Sequence, residues 1–415
     1  MEKTTKIGYR EVLGQKEYAK KLAANTINRL GDSIDVIAFQ WLVYHITGSA
    51  AWSALIVAFN MLPSMLLEPF AGALVEGRKK KNILVITDCI RGAVTVSLAI
   101  LYLLGQVRPW MLVVFTLTNS TVEAFSSPAG TALLPKILDE KYYEYGTSLN
   151  SVISNVMQLL GYGVAGMIIG GFGVWSAILI DAASFFGSAL FQSAMKVDEG
   201  EVHQGRFSFE EYKQTFLAGL VYLKNTPVVR NFCIISCLLN AILVPFNSLV
   251  TPFVYEVLDG GSELISAISM SASIGMMAGA FLFPKFSDRF SVRFNVVVSG
   301  IMIGAANILY CTGGLFQEKR MAVYLVVMVL GIAMGMGASI TCALLQVQLM
   351  KTVEQEYLAR AAAIFNAGAA AASPLASVIT SAAATRFGVS QIFIVSGALC
   401  VVSFLYISIR KVRLE

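Results

Sequence analysis

The sequence is poor in charged residues and in histidine. Charged side chains make up 14% of its 415 residues, whereas a soluble domain carries about 25%. With two histidines, six cysteines and no CxxC pair, the chain lacks the ligand clusters that protein metal sites need. A Walker A glycine loop for ATP is also absent. These absences predict no enzyme activity, no bound metal and no cofactor.

Long hydrophobic runs make up most of the chain. Hydrophobic residues account for 56% of it, and its mean hydropathy is +0.69. A helix needs roughly 20 apolar residues to span a bilayer, and twelve runs of this kind predict an all-α integral membrane protein. They lie near residues 22–47, 51–76, 82–104, 109–137, 144–171, 173–195, 228–255, 263–286, 294–316, 321–350, 357–385 and 389–409. The charged first 21 residues lack the apolar core of a removable signal peptide, so we expect the first run to target the chain.

Lysine and arginine predict the orientation of the runs, because short loops rich in these residues stay in the cytoplasm. If both termini are cytoplasmic, the two tails and the even-numbered connections hold 25 of the 31 basic residues, and the opposite side holds four. Trp52, Trp110 and Trp175 then fall at the outer ends of their runs, where interfacial tryptophans are expected. This topology also explains the net charge of +5 without nucleic-acid binding.

The chain repeats itself at an offset of 212 residues. An acid in a basic loop, a Glu-Tyr pair and an asparagine of the first run each return at this offset. The matched residues are Glu76 with Asp288, Glu144 with Glu356, and Asn28 with Asn240. Repeats related by an axis along the membrane normal are typical of one large transporter fold. We therefore predict a six-helix bundle at 1–195, a cytoplasmic linker with an amphipathic helix at 196–227, and a second six-helix bundle at 228–415.

Several short motifs occur in the order found in a known family. They are Gly31-Asp32, Pro69 and Gly72 ahead of the basic loop that ends at Lys81, Ser127-Pro128-Ala129, Ile180-Asp181-x-x-Ser184-Phe185, and Gln355-Glu356-Tyr357-Leu358-x-Arg360. By these motifs the chain resembles the major facilitator superfamily, and within it the drug exporters of the macrolide-efflux and enterobactin-exporter type. The resemblance implies twelve transmembrane helices in two pseudo-symmetric six-helix bundles. It also implies a cell-membrane transporter, working as a monomer, that exports small amphipathic drug-like molecules by proton antiport with alternating access.

The same resemblance gives the basic loops a role as a gate latch. Superfamily members carry Gly-x-x-x-Asp-Arg-x-Gly-Arg-Lys in the first of these loops, and here Glu76 stands in place of the aspartate. We expect Gly72 to allow close helix approach and Asp88 to form a local ion pair with Arg91. The alternative is a solvated loop that only sets the orientation. The predicted latch residues are Glu68, Gly72, Glu76, Arg78, Lys80, Asp88, Arg91, Asp288 and Arg289.

A second family motif lies in the fifth run. The segment Gly166-Met167-x-x-Gly170-Gly171 resembles the antiporter signature Gly-Pro-x-x-Gly-Gly, with methionine in place of proline. Its three glycines are therefore candidates for a role in antiport.

Carboxylates inside the runs are the candidates for proton coupling. A charged residue at the centre of a span costs roughly 2.5 to 3.5 kcal/mol, so those present usually face a cavity or a partner. In the first run, two such acids lie on a helical stripe that we expect to line the central cavity. Arg29 is expected to neutralise Asp32, which ranks Asp35 above Asp32. The stripe comprises Asn25, Asn28, Arg29, Asp32, Asp35 and Phe39.

Glu123 in the fourth run is the other candidate for proton coupling. Asn119 and Ser126 share its helical face, and the resemblance implies a cavity lined by the first, fourth, seventh and tenth spans. Many related antiporters carry an arginine in this region, and this run has none. Glu123 could exchange a proton for a cationic or polar amphipathic substrate, or it could hydrogen-bond to serines for packing. Asp181 in the sixth run is predicted to be structural.

The second half has few charges inside its runs. Its polar cavity candidates are Asn240, Asn247 and Gln346, so we expect adaptable and mostly apolar substrate contacts there. Two other functions stay open at this point. One is the export of a single endogenous metabolite such as a siderophore, and the other is a membrane sensor or lipid-handling scaffold that transports nothing.

Overall fold

A computed structural model of the protein describes residues 9–76, 78–199, 226–316, 319–353 and 355–410. These residues form thirteen α-helices, the 3-10 turns Glu140–Tyr142 and Cys311–Phe316, and no strand. After the short α1 (Tyr9–Gly14), the first half has α2 (Lys16–Thr47), α3 (Ala50–Glu76), α4 (Lys80–Leu103), α5 (Pro109–Ile137), α6 (Tyr143–Phe172) and α7 (Val174–Ser193). The second half has α8 (Pro227–Glu256), α9 (Ser262–Arg289), α10 (Val292–Tyr310), α11 (Arg320–Thr352), α12 (Gln355–Ala384) and α13 (Val389–Ile409).

Each predicted run coincides with one long helix, which confirms the all-α membrane fold. A continuous helix satisfies its own backbone N–H and C=O groups, as the water-free bilayer requires. Among the described residues, ten of the twelve long helices contain segments apolar enough to span a membrane. The other two are α2 and α5, the helices that carry Asp32, Asp35 and Glu123.

Proline and glycine explain where several helices begin and end. Pro109 and Pro227 occupy the first turn of α5 and α8, where a missing backbone N–H costs nothing. Gly48 separates α2 from α3 with φ +58°, and Gly173 separates α6 from α7 with φ +86°. Both values lie in the left-handed region that side chains disfavour. The chain thus turns sharply between consecutive spans at residues suited to it.

The chain folds into two compact units, of which the first comprises Met1–Leu42 and Leu62–Phe207. Small residues bring α2 close to two neighbours in this unit. A Cβ added at Gly31 would lie 2.0 Å from Ser184 Oγ on α7, and one added at Gly161 on α6 would lie 2.5 Å from Ser33 Cβ on α2. The glycines therefore allow α2, with its polar stripe, to pack directly against α6 and α7.

The second unit comprises Val43–Met61 and Ser208–Glu415. A close helix crossing joins α9 and α11, where the added Cβ of Gly335 would lie 2.0 Å from the carbonyl oxygen of Ala272. The reverse holds at Gly275, whose added Cβ would lie 2.1 Å from the carbonyl oxygen of Ile332. Backbone meets backbone here, as in other small-residue contacts between membrane helices.

A short helical hairpin, residues 43–61, belongs to this second unit although the rest of α2 and α3 belongs to the first. Tyr44 donates a hydrogen bond of 2.9 Å to Glu256 on α8. On α12, Ser377 and Ser381 donate hydrogen bonds of 2.6 and 2.8 Å to the carbonyl oxygens of Ala54 and Ala51. Polar contacts therefore hold the hairpin against α8 and α12.

Candidate functional site

Arg91 on α4 lies at the centre of a charge cluster in the first unit. Its Nη2 is 3.1 Å from Asp32 Oδ1 on α2 and 4.0 Å from Glu123 Oε2 on α5. Its guanidinium carbon lies 4.2 Å from the ring centre of Phe185 on α7, within the range of a cation–π contact. Four helices thus meet at one cation.

Carboxylates outnumber the cations around Arg91. Besides Asp32 and Glu123, the acids Asp35, Asp88 and Asp181 lie close enough for their charges to interact with the guanidinium. Like charges packed together cannot all stay ionised without a large energetic cost. This composition suits a site that takes up and releases protons or other cations.

The pairing differs from the one expected from sequence spacing. Asp32 pairs with Arg91, whereas its expected partner Arg29 is an exposed residue on the wall of a cavity. Asp88, the expected partner of Arg91, instead accepts a hydrogen bond of 3.0 Å from Gln192 on α7. Residues three apart on a helix are neighbours, but partners on adjacent helices are better aligned here.

The arginine that α5 lacks is supplied by α4. The run that contains Glu123 has no arginine of the kind many related antiporters carry, and Arg91 of α4 approaches Glu123 to 4.0 Å. The side chain of Glu123 is nevertheless 53% exposed, whereas that of Arg91 is only 12% exposed. Glu123 is therefore the part of the cluster that an incoming cation can reach most easily.

A polar cavity of about 470 Å³ opens beside the cluster. Its wall on α2 is formed by four members of the predicted stripe, and its wall on α6 is formed by residues that sequence reasoning missed. Asn25 Nδ2 joins the two walls by a hydrogen bond of 3.1 Å to Asn150 Oδ1. The polar spacing on α6 is a signal that could have revealed this wall. The lining comprises Asn25, Asn28, Arg29, Asp32, Asn150, Ser151, Ser154 and Asn155.

The remaining cavity candidates differ in their burial and hydrogen bonds. Phe39 and Asn119 are half-buried, and Asn119 Oδ1 has no hydrogen-bond partner among the described residues. Asn240 is half-buried and donates a 2.9 Å hydrogen bond to a carbonyl of its own helix, whereas Asn247 and Gln346 are exposed. Among the first-half candidates, Asn28 lines the cavity beside Asp32.

Comparison with known proteins identifies the family. The family model described as transmembrane secretion effector matches residues 12–414, which is nearly the whole chain. The chain belongs to this family. Its members belong to the major facilitator superfamily, so the chain is a multi-pass membrane efflux transporter.

The relatives of the chain are distant in sequence. It is 25% identical to the multidrug efflux pump Tap of Mycolicibacterium fortuitum, over 66% of this chain and 68% of the pump. It is 21% identical to macrolide efflux protein A of Streptococcus pyogenes (91% and 92%) and 22% identical to the staphyloferrin A transporter of Staphylococcus aureus (93% and 94%). The solved nucleoside transporter NupG has the same fold, with a TM-score of 0.78 at 13% identity, covering 96% of this chain and all of NupG.

The structure describes only part of the predicted latch. The side chains of Glu68, Glu76 and Asp288 lie outside the described residues, as does the predicted amphipathic helix between 200 and 225. Arg78 and Arg289 are exposed.

Two features of the first basic loop differ from the expected latch. A Cβ added at Gly72 would meet no atom of the described residues within 4 Å, so the expected close helix approach is absent there. The N-terminus of α4 is capped by Glu199, which accepts hydrogen bonds of 2.6 and 3.0 Å from the backbone N–H groups of Lys80 and Lys81. A carboxylate at a helix N-terminus is stabilising, and here it comes from the segment after α7.

The antiporter-like motif lies near the end of α6. Gly166 is buried, whereas Gly170 and Gly171 are exposed. A Cβ at Gly171 would meet nothing within 4 Å in the described part of the chain. Of the three glycines, Gly166 alone lies in a packed environment.

Proposed function

We propose that the protein exports amphipathic, drug-like small molecules across the cell membrane in exchange for protons. The observation that supports this best is the charge cluster in which Arg91 faces both Asp32 and Glu123. The named activities of Tap and macrolide efflux protein A, which are relatives over most of this chain, point to the same substrate class.

Competition for Arg91 gives a physical basis for antiport. Arg91 is 3.1 Å from Asp32 and 4.0 Å from Glu123. A proton that binds Glu123 forms an O–H bond, removes its negative charge and leaves Arg91 to Asp32. When that proton leaves, the exposed carboxylate can take a cationic or polar substrate instead. Asp35 is the second proton-coupling candidate, because it interacts with both Asp32 and Arg91.

Alternating access would couple this exchange to transport. We propose that the bundles at 1–195 and 228–415, joined by the linker at 196–227, rock against each other as a monomer with both termini in the cytoplasm. The duplicated loops, with their acids at positions 76 and 288, would form the latch that is broken in one conformation. Substrate contacts from the second half would come from Asn240, Asn247 and Gln346.

A second candidate function is the export of a single endogenous metabolite. It is supported by the similarity to the staphyloferrin A transporter, which extends over 93% of this chain. A metabolite with acidic groups would be expected to bind Arg91 rather than Glu123. The two candidate functions therefore require different residues of the cluster to bind the substrate.

The test is transport into inside-out vesicles that carry an imposed pH gradient. Ethidium, a macrolide and staphyloferrin A serve as probes, with and without an uncoupler. We expect the first two to accumulate only with the gradient, and Glu123→Gln and Asp35→Asn to lower this accumulation by about 100-fold. Glu140→Gln and Asp139→Asn are matched controls, because both acids are exposed and lie outside the cluster.

Two results would overturn the proposal. Full gradient-driven accumulation in both Glu123→Gln and Asp35→Asn would reject these coupling residues. Accumulation of staphyloferrin A alone would favour the single-metabolite exporter. In that case, a drug-hypersensitive host that produces the protein would also fail to export ethidium and the macrolide.

A further inference from the structure

Lys21 on α2 is a buried cation that the proposed function does not use. It is 8% exposed, and no hydrogen bond or ion pair joins its Nζ to any residue that the structure describes. It faces Asp88 on α4, whose charge interacts with it, and Gly130 on α5, where an added Cβ would lie 3.5 Å from Nζ. A buried ammonium that is not locked to a partner is costly to keep unless water or a mobile charge reaches it.

Asp88 is held by a network that is only partly satisfied. It is 1% exposed, and Gln192 donates to both Asp88 Oδ2 at 3.0 Å and Ser188 Oγ at 2.9 Å. Gln192 Oε1 is buried and has no partner within the described ranges. Buried networks that serve packing alone are normally satisfied throughout. The unpaired oxygen therefore indicates that a further donor enters this network.

A cavity gives such a donor access to the pair. It has a volume of about 360 Å³, and its wall includes Lys21, Asp88 and Gln192. Waters of about 30 Å³ each would fit in it. It shares Asn25 and other wall residues with the cavity beside Asp32. A polar route thus leads from Lys21 to the charge cluster inside the first unit.

We infer that Asp88 is the group that exchanges the transported proton with the predicted cytoplasmic side, and that Lys21 is its positioning residue. This inference rests on the proposed proton antiport. On release, the O–H bond of the Asp88 carboxyl breaks and its proton passes to a cavity water. The carboxylate that remains is stabilised by the Lys21 ammonium and by the N–H of Gln192. Uptake is the reverse of these steps.

Few charged or titratable groups lie beside the pair in the part of the chain that the structure describes. On α2 they are Tyr18, which lines the same cavity, and Asp32 beyond it. On α4 the neighbour is Arg91. The described cavity walls on α5, α6 and α7 contribute polar and apolar side chains but no titratable group. Asp88 is the carboxylate whose charge interacts with Lys21, so altering Lys21 acts first on Asp88.

The test uses the full chain in proteoliposomes with ethidium as the probe. Two rates are measured, accumulation driven by a pH gradient and exchange of labelled for unlabelled ethidium at equal pH. We expect Asp88→Asn to keep the exchange rate within about twofold and to lose gradient-driven accumulation by at least about tenfold. Lys21→Met should move the pH of half-maximal accumulation upward by about one unit, because the released carboxylate lacks its counter-charge.

Controls separate this role from a structural one. Lys21→Arg keeps the charge and should leave the pH profile in place, and Lys16→Met removes an exposed lysine of the same helix and should change nothing. A uniform loss of rate at every pH in Lys21→Met would overturn the inference, and so would normal accumulation in Asp88→Asn. If Asp88→Asn does not fold, the pH profiles of accumulation in Lys21→Met and Lys21→Arg still test the inference. Absence of gradient-driven accumulation in the unaltered protein would instead reject the proposed antiport itself.

Discussion

At the scale of single residues, Arg91 on α4 contacts side chains of three other helices in the first unit. It pairs with Asp32 at 3.1 Å while its side chain is only 12% exposed. Removing one partner of a buried pair leaves the other charge uncompensated, which costs about 3 kcal/mol. We predict that Arg91→Met lowers the thermal unfolding midpoint of the detergent-solubilised protein by several degrees.

A second substitution tests whether this loss of stability comes from the uncompensated charge of Asp32. In the double variant Arg91→Met with Asp32→Asn, a neutral amide replaces the carboxylate. Most of the lost stability should therefore return. Arg91→Lys keeps the positive charge but lacks the planar guanidinium group. Its unfolding midpoint should therefore lie between those of Arg91→Met and the double variant. If the double variant melts no higher than Arg91→Met, the ion pair with Asp32 is not what Arg91 contributes.

At the scale of helices, the crossing of α9 and α11 depends on glycine. The Cβ of an alanine at position 335 would lie 2.0 Å from the backbone oxygen of Ala272, which cannot move aside as a side chain can. Overpacking of this kind costs about 1–3 kcal/mol. We predict that Gly335→Ala lowers the unfolding midpoint, as measured by the same thermal scan.

Gly72→Ala is the matched comparison, because the added Cβ meets no atom of the described residues within 4 Å. Alanine is the better helix former by about 1 kcal/mol, so this variant should melt at or above the temperature of the unaltered protein. A drop in midpoint for Gly72→Ala would mean that the close approach expected from the family motif occurs in another conformation of the protein.

The helices themselves could be predicted from sequence, whereas the partners of their side chains could not. Apolar length alone identifies α13, since its predicted run and the observed Val389–Ile409 coincide. The partner of Arg91 depends on how α4 is rotated towards α2 and α5, and Asp32 is 59 residues away along the chain. Glu199 caps α4 from 119 residues away. Periodicity defines which residues share a face, but it does not say which face a neighbouring helix presents.

At the scale of the whole molecule, the two repeats are similar in fold and unequal in chemistry. The acids that surround Arg91 all belong to α2, α4, α5 and α7 of the first half. The second half instead contributes close glycine packing and the aromatic stack of Phe253 on Phe393, with ring centres 4.7 Å apart. The ionisable side chains of this cluster therefore lie in the first half, whereas the second half packs through glycines and aromatic rings.

The repeats also meet at equivalent positions. Tyr44 and Glu256 are 212 residues apart, the same offset that relates the repeated motifs, and they share a hydrogen bond of 2.9 Å. The rings of Tyr44 and Tyr255 stack with centres 5.5 Å apart. Under alternating access, the hairpin at 43–61 has to leave α8 and α12 once in each cycle. The strength of its contacts would then set how often it opens.

We therefore predict that Tyr44→Phe, which keeps the ring but removes the hydroxyl donor, speeds amide hydrogen exchange in residues 43–61. Loss of one partly exposed hydrogen bond is worth about 1 kcal/mol, or about fivefold in the opening equilibrium. Exchange in α10 and α13 should stay unchanged, because the hydrogen bond and the ring contact that the structure describes for Tyr44 are both with α8. Adding Ser377→Ala should speed exchange further, since Ser377 holds the carbonyl of Ala54 from α12. Unchanged exchange at 43–61 in the double variant would show that other contacts hold the hairpin closed.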